Sequence, residues 1–231
     1  MVYQGTPVQV YMFKTSKMTD LYKVKKVNMI FQILEKCIIL LNKIRRIESK
    51  LMNHPESQID DIQIVGLQHC KSENLVHFYI KNKTHLADAM PLRDESFYQS
   101  HYWDEQIADY AQLFKEKCAI KFVLLKHEQV IGTITFDQIC YGAFRSCYLG
   151  YLLDQDYQGK GIMTKALQFC LSYIIKDLNL NRVMANYVPE NLRSGKLLRQ
   201  LGFEREGYAR KYLLLNGVWR DHILTSYIND T

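Results

Sequence analysis

Apolar residues recur at helical spacing in two stretches of residues 52–231, and capping residues mark a third helix. The first stripe predicts a helix over residues 100–116, packed by four apolar side chains: Trp103, Ile107, Tyr110 and Phe114. A second stripe predicts a helix from about Ile162 to Lys176. A third helix, 191–201, begins with Asn191, a good N-cap residue, and ends before Gly202, which can adopt the left-handed conformation.

Strand patterns lie between the first two of these helices. Residues 120–125 and 130–136 are rich in β-branched and aromatic side chains, and the short polar segment between them predicts a hairpin. Cys147 to Leu153 is apolar on both alternating faces apart from Gly150. This pattern is typical of a strand inside a sheet, because both of its faces are covered there.

The C-terminal part of the chain predicts three more strands. One runs from Val183 to Val188, and the last two, 208–215 and 219–227, flank Asn216-Gly217, a strong signal for a two-residue hairpin turn. The predicted order is therefore helix, three strands, helix, strand, helix and two strands. Such mixing of helices and strands indicates an α/β domain with a covered sheet.

Charge divides the chain into two parts. Residues 1–51 hold 10 of the 30 Lys and Arg but only 3 of the 24 Asp and Glu, so they carry +7 and residues 52–231 carry −1. The basic segment has one amphipathic helical pattern, which would suit a membrane-surface or ribosome-contacting arm or an organelle transit segment. Alternatively, it is a poorly packed extension, or Met52 is the true start. Either way, 52–231 is the predicted globular domain.

The composition excludes several classes of protein. Six cysteines are scattered without a C-x-x-C pair, and the seven histidines show no metal-ligand spacing, so we expect reduced core thiols and no metal. The longest strictly apolar run, Cys37 to Leu41, is far shorter than the roughly 18 to 20 residues that a membrane span needs. No small-residue cleavage site follows it, so we expect a cytoplasmic protein.

A glycine-containing segment, residues 156–164, lies between the predicted central strand and its helix. Glycines before a helix let several backbone N–H groups point into one concavity, where the helix dipole favours an anion. A pyrophosphate would fit there, and Lys160 would add a positive charge. The segment matches neither the G-x-x-x-x-G-K-[ST] pattern of nucleoside triphosphate sites nor the G-x-G-x-x-G pattern of dinucleotide sites.

This segment resembles the phosphate loop of the GCN5-related N-acetyltransferases, in which Gln or Arg is followed three residues later by Gly. Gln158 and Gly161 fit that pattern, whereas Met163 stands where Gly or Ala is usual. Within that superfamily, residues 52 to about 228 look like the RimJ-type ribosomal-protein alanine N-acetyltransferases. The resembling stretches are 91–96, 148–151, 158–163, 182–187, 191–195, 201–208 and 219–222.

The resemblance implies a mixed, mostly antiparallel seven-stranded sheet, flanked by helices and splayed at its central strand. It also implies acetyl-CoA as co-substrate, with the backbone amide of Leu153 polarising the thioester and Ser194 protonating the departing thiolate. By the same resemblance, the acetyl-CoA site comprises Tyr151, Leu152, Leu153, Gln158, Gly159, Lys160, Gly161, Ile162, Met163, Thr164 and Asn191. N-capping alone would also explain Asn191.

The resemblance further implies that the acceptor is a protein N-terminus, with the N-terminal alanine of ribosomal protein S5 expected. Two alternatives stay open: a small-amine acetyltransferase, for a polyamine or an aminosugar, and a non-catalytic ribosome- or RNA-binding factor that uses the basic segment. The sequence does not single out a general base. Five side chains are possible acids, bases or relays: Glu206, Asp221, Tyr148, Tyr212 and His222.

Overall fold

A computed structural model describes residues 55–229 of the chain. The predicted basic helix within residues 1–51, and the domain boundary at residue 52, lie outside the described residues. Both therefore stay predictions.

Eight strands form one sheet in the described part of the chain. They are β1 (Ser57–Ile59), β2 (Ile62–Gly66), β3 (Ile120–Lys126), β4 (Gln129–Cys140), β5 (Ser146–Leu153), β6 (Arg182–Met184), β7 (Glu204–Leu215) and β8 (Val218–Ile228). Their spatial order is β1-β2-β3-β4-β5-β6-β8-β7, and only β5 and β6 pair in parallel. The predicted mixed, mostly antiparallel sheet is confirmed. It has eight strands rather than seven, because the three-residue β1 pairs with β2 at the sheet edge.

Five helices accompany this sheet within residues 55–229. They are α1 (Ser72–Lys81), the single turn α2 (Lys83–Leu86), α3 (Ser100–Lys115), α4 (Ile162–Lys176) and α5 (Leu192–Gln200). The three predicted helices correspond to α3, α4 and α5, with ends that agree within one residue. Helix α1 was not predicted from the sequence, although Leu75, Phe78 and Tyr79 are spaced as one buried helical face.

The helices cover both faces of the sheet. Alternate residues of β3 belong to different hydrophobic clusters: Phe122 and Leu124 pack with residues of α4, and Val123 packs with residues of α1 and α3. This alternation follows from the two-residue period of a strand. In β3 and β5, most residues on both faces of the strand are buried or half-buried. Apolar side chains therefore occur on both faces.

The sheet opens beside the second half of β5. Strand β5 pairs with β4 up to Leu153, but with β6 only from Ser146 to Tyr148. The chain after β6 follows β8 instead, because the N–H of Ala185 donates to the carbonyl of Thr225 at 3.0 Å. The predicted strand from Val183 to Val188 is therefore too long, and β6 ends at Met184. The result is a gap between β5 and the chain after β6, as the splayed fold requires.

The last two strands form the predicted hairpin. Asn216 and Gly217 connect β7 to β8 and have φ values of 46° and 75°, so both central residues of this two-residue turn are left-handed. The hairpin between β3 and β4 also turns in two residues, His127 and Glu128, with φ values of 49° and 61°. Because neither His127 nor Glu128 is glycine, the sequence signal for the turn between β3 and β4 was weaker than that for the turn between β7 and β8.

Candidate functional site

The loop before α4 has the geometry of an anion cradle. Gly159 and Gly161 both have φ of +73°, and a Cβ built on either would meet no atom within 4 Å. Apart from bonds within α4, none of the N–H groups from Gly159 to Thr164 donates to a backbone carbonyl of residues 55–229. These donors lie at the positive end of the α4 dipole, which favours an anion such as a pyrophosphate. We name residues 158–164 the phosphate loop.

Side chains hold the start of the phosphate loop in place. The Gln158 side chain lies 2.7 Å from His85 Nε2 and accepts a hydrogen bond from the Arg193 guanidinium. Lys160 Nζ donates to the carbonyl of Asp156 at 2.7 Å, so its charge stays beside the loop. Arg193 lies in the first turn of α5 and adds a second cation, besides Lys160, next to the phosphate loop. The sequence analysis did not predict it as a site residue.

Two backbone donors of β5 face the gap in the sheet. The N–H of Asp154 donates to the carbonyl of Ile131 on β4 at 2.8 Å. Because N–H groups alternate between the two edges of a strand, those of Tyr151 and Leu153 point away from β4. The Leu153 amide is therefore placed where a carbonyl lying in the gap could be polarised by a fixed donor. Its contact with a thioester stays a prediction.

Ser194 faces the same gap from α5. The hydroxyl oxygens of Tyr151 and Ser194 are 2.6 Å apart, and the Asn191 side chain accepts a hydrogen bond from the Ser194 N–H at 3.0 Å. Asn191 is thus the N-cap of α5 and fixes the turn that carries the serine. Burial raises the pKa of Tyr151 to about 12, although its hydrogen bond with Ser194 opposes the rise. The phenol is therefore protonated at neutral pH, a role for the Tyr151 side chain that was not predicted.

A cavity of about 780 Å³ leads to this gap from the α1 and α3 side of the sheet. It is partly open to solvent, and Tyr151 and Ser194 lie in its wall. Aromatic side chains from α1, α3 and the loop before α3 form much of the remaining wall: Tyr79, Phe97, Tyr102, Trp103 and Tyr110. The cavity is large enough for several residues of an extended peptide, by comparison with the roughly 300 to 1,000 Å³ of drug-sized sites.

One lysine and one aspartate stand on the sheet floor of the cavity. Lys121 Nζ lies 5.2 Å from the ring centroids of both Trp103 and Tyr110. The Tyr110 hydroxyl donates to Asp137 Oδ1 at 3.2 Å. Burial lowers the pKa of Lys121 to about 8, although Asp137 opposes this, and burial raises the pKa of Asp137. Neither residue was predicted as a site residue. A signal was present in the sequence, because each is the charged residue on a strand face whose other residues are apolar or uncharged.

The five possible acids, bases or relays fall into two groups. Tyr148, Tyr212 and His222 line the cavity. Burial holds the pKa of His222 below its usual range, so its imidazole is neutral at neutral pH. Glu206 and Asp221 do not line the cavity. The first pairs with Arg182 at 2.7 Å, and the second accepts hydrogen bonds from the Lys211 N–H at 2.7 Å and the Tyr208 hydroxyl.

The cysteines take no part in this site within residues 55–229. Cys118 and Cys140 are exposed, so the prediction that the thiols are core residues is wrong for these two. The other described cysteines are buried, and burial raises the pKa of Cys70 and of Cys147 to about 12. The described residues contain no cluster of His, Cys, Asp or Glu that could hold a metal ion. Over the same range, no helix combines the length and apolar character needed to cross a membrane.

Comparison with known proteins agrees with this geometry. Residues 60–204 match the acetyltransferase (GNAT) domain family. The chain is 40% identical over 169 residues to the [ribosomal protein uS5]-alanine N-acetyltransferase of Escherichia coli K12, covering 72% of this chain and 87% of that one. It is 28% identical over 172 residues to the ribosomal-protein-serine acetyltransferase of the same organism, covering 74% and 93%. Among solved structures, the ribosomal-protein-S5-alanine acetyltransferase of Vibrio fischeri superposes with a TM-score of 0.74 at 36% identity, covering 76% and 97%.

Proposed function

The chain belongs to the GNAT acetyltransferase family and uses acetyl-CoA, and from this premise we propose that it acetylates the N-terminal α-amine of a protein. The acceptor that we propose is the alanine at the start of ribosomal protein S5. The observation that carries this assignment is the 40% identity, over most of both chains, to an enzyme named for that alanine. An acceptor of this kind would also place the protein in the cytoplasm and in contact with ribosomal proteins.

In the proposed reaction, the pyrophosphate lies on the phosphate loop and the pantetheine arm lies in the gap beside β5. The Leu153 amide polarises the thioester carbonyl while the acceptor amine attacks from the cavity. A C–N bond forms as the C–S bond breaks. The amine loses one proton to solvent. The departing thiolate takes one proton from the Ser194 hydroxyl, which lies 2.6 Å from the Tyr151 hydroxyl, and Ser194 regains a proton from solvent. His222, neutral and in the cavity wall, is available to relay the proton of the amine.

Ionisation favours an N-terminus over a lysine in such a site. An α-amine has a pKa of about 7.7 to 8.0, against about 10.4 for a lysine side chain. At pH 7, therefore, roughly a tenth to a fifth of N-termini are neutral, against well under a hundredth of lysines. A site without a strong base keeps this advantage of more than about a hundredfold. Among the described residues, no carboxylate hydrogen-bonds to Ser194 or to Tyr151, so neither hydroxyl has a carboxylate partner that would make it a stronger base.

The cavity favours a peptide over a polyamine. A polyamine site should be closed and acidic, since it must bind several positive charges. The observed cavity is only partly enclosed, and its charged side chains are balanced in sign: Arg93, Lys121, Asp88 and Asp137. The non-catalytic alternative rests on the basic segment within residues 1–51. Binding of RNA by that segment should weaken steeply with salt, whereas acetylation of a short peptide should not.

The decisive experiment compares three acceptors by following free thiol release from acetyl-CoA. They are a peptide that begins with Ala, the same peptide with a blocked N-terminus and an internal lysine, and spermidine. We expect kcat/KM for the first to exceed the other two by about a hundredfold or more at pH 7. A peptide that begins with Ser instead of Ala is the matched control for side-chain preference. Faster turnover of spermidine or of the blocked peptide would reject the N-terminal assignment and leave the acetyl-CoA assignment intact.

A further inference from the structure

A buried carboxylate follows directly after β5. Asp154 is 2% exposed, and its two oxygens accept three hydrogen bonds. Oδ2 accepts from Lys81 Nζ at 2.7 Å and from Asn82 Nδ2 at 3.2 Å, and Oδ1 accepts from the N–H of Asp156 at 2.9 Å. Lys81 and Asn82 lie at the end of α1, more than 70 residues earlier in the chain. A buried carboxylate with this many partners has a fixed orientation.

The same two residues hold the next part of the chain. Lys81 Nζ also donates to Asp156 Oδ2 at 2.7 Å, and the Asn82 side-chain oxygen accepts from the N–H of Gln155 at 3.1 Å. Asn82 is 1% exposed, so its amide has no alternative partner in solvent. Three consecutive residues that lead into the phosphate loop are thus tied to one helix end. We name Lys81, Asn82, Asp154 and Asp156 the loop clamp.

Within the loop clamp, the charges of Lys81 and Asp154 are stable across the neutral range. Burial would raise the pKa of Asp154, but hydrogen bonds from Lys81, the Asp156 N–H and Asn82 outweigh burial and lower it. Hydrogen bonds to Asp154 and Asp156 raise the pKa of Lys81. A carboxylate whose pKa is lowered by folding adds stability, and this stability is lost only when the pH falls through the lowered pKa. A lysine whose pKa is raised by folding also adds stability, and this is lost only when the pH rises through the raised pKa. The ion pair between Lys81 and Asp154 is therefore intact between about pH 5 and pH 10.

We propose that the loop clamp positions the phosphate loop for acetyl-CoA, so that Lys81 and Asp154 are positioning residues for cofactor binding. Backbone donors bind an anion well only when they are held in place beforehand, because ordering a free loop costs conformational entropy at the moment of binding. The loop clamp holds the chain just before the phosphate loop. At the loop itself, the contacts of Gln158 with His85 and Arg193 provide a second point of attachment.

The structure separates this role from the chemistry in the gap. Strand β5 is held by β4 up to Leu153, and the Asp154 N–H continues that ladder to Ile131. The Leu153 amide therefore keeps its place without help from Lys81. Neither Lys81 nor Asp154 lines the acceptor cavity. The inference rests on the acetyl-CoA assignment and does not depend on which acceptor is used.

The test compares two acetyl donors, acetyl-CoA and S-acetylpantetheine, which lacks the pyrophosphate. In the double variant Lys81→Met/Asp154→Asn, which leaves no unpaired buried charge, we expect CoA affinity by calorimetry to fall about 10- to 100-fold. The KM for acetyl-CoA should rise with little change in kcat. The kcat/KM for S-acetylpantetheine should stay within about threefold of the wild-type value, since that donor does not use the phosphate loop.

Controls separate positioning from general stability. Lys81→Arg keeps the charge and both carboxylate partners, and we expect it to retain CoA affinity within a few-fold. Asp60→Asn removes an exposed ion pair with Lys165 of α4, 2.9 Å long, and should change neither affinity nor turnover. Asp156→Asn loosens only the exposed part of the loop clamp, so it provides a folded variant if the double variant does not fold; it should weaken CoA binding severalfold. Unchanged CoA affinity in the folded double variant or, if that variant does not fold, in Asp156→Asn would overturn the proposal, as would equal losses with both donors. Because no acceptor is needed for the calorimetry, failure here is distinct from failure of the acceptor assignment.

Discussion

The cofactor half and the acceptor half of the site are built in different ways. The cofactor half, which we propose to bind acetyl-CoA, is nearly continuous in sequence: the end of β5, the phosphate loop and the start of α4 span residues 151–164. The acceptor half is assembled from α1, α3, β3, β4 and the β7–β8 hairpin, whose residues are far apart in the chain. The first presents mainly backbone N–H groups, and the second presents side chains.

This difference implies different sensitivities to mutation. Backbone donors depend on the conformation of the chain, so they tolerate many side chains but not the loss of the left-handed glycines. The acceptor half depends on the identity of individual side chains, such as Lys121 and Asp137, while its backbone is ordinary strand and helix. We therefore expect cofactor binding and acceptor preference to respond to separate sets of substitutions.

The largest effect should come from Gly161→Asp. An aspartate at a φ of +73° is strained by about 1 to 2 kcal/mol, and its charge repels the pyrophosphate, so CoA affinity should fall by about 1000-fold. Gly161→Ala is the matched control, since it adds the strain without the charge and meets no protein atom within 4 Å. Calorimetry with CoA measures both. An unaltered affinity in Gly161→Asp would mean that the pyrophosphate does not bind at this loop.

Ser194→Ala should affect the chemical step rather than cofactor binding. The hydroxyl matters most as the thiolate develops, so kcat should fall by about 10- to 100-fold while CoA affinity changes little. Tyr151, 2.6 Å from this hydroxyl, or a water could supply part of the missing proton. The double variant with Tyr151→Phe should therefore be slower than either single one. Wild-type turnover in Ser194→Ala, measured where chemistry limits the rate, would argue against the acid role.

Substitutions on the floor of the cavity should change acceptor use and spare the cofactor. Lys121→Met and Asp137→Asn each leave one charge without its counterpart, so we expect the KM for an Ala-starting peptide to rise about tenfold in each. The double variant, which removes both charges, should be closer to the wild type than either single variant. CoA affinity should be unchanged in all three. A loss of CoA affinity would show that the two halves are not independent.

Removal of residues 1–51 should have the smallest effect. The cofactor half and the acceptor half both lie after Met52, so a protein that begins there should bind CoA and acetylate short peptides within about twofold of the full chain. Full-length ribosomal protein S5 is the informative second acceptor. A selective loss with that acceptor would assign the basic segment to substrate docking, whereas loss of CoA binding would contradict the predicted domain boundary.

Local signals in the sequence determined the phosphate loop, the α4 and α5 helices with their caps, and the final hairpin. Each of these features depends on neighbouring residues: the glycines at 159 and 161, the N-cap Asn191, and the Asn216-Gly217 turn. Resemblance to a known family then assigned the co-substrate and the residues of the cofactor half. These assignments were possible because a short continuous segment contains most of that half.

Only the tertiary structure decided which distant side chains meet. Lys121 and Asp137 share a cavity because strand pairing places them on one face, and Tyr151 reaches Ser194 because α5 packs beside the gap. The end of α1 reaches Asp154 across more than 70 residues, a contact for which no local pattern exists. The tertiary structure also places Glu206 and Asp221 outside the cavity lining, where Glu206 pairs with Arg182 and Asp221 accepts a hydrogen bond from the Lys211 N–H. Helical and strand periodicity report which face of an element is buried, but they do not report which element buries it.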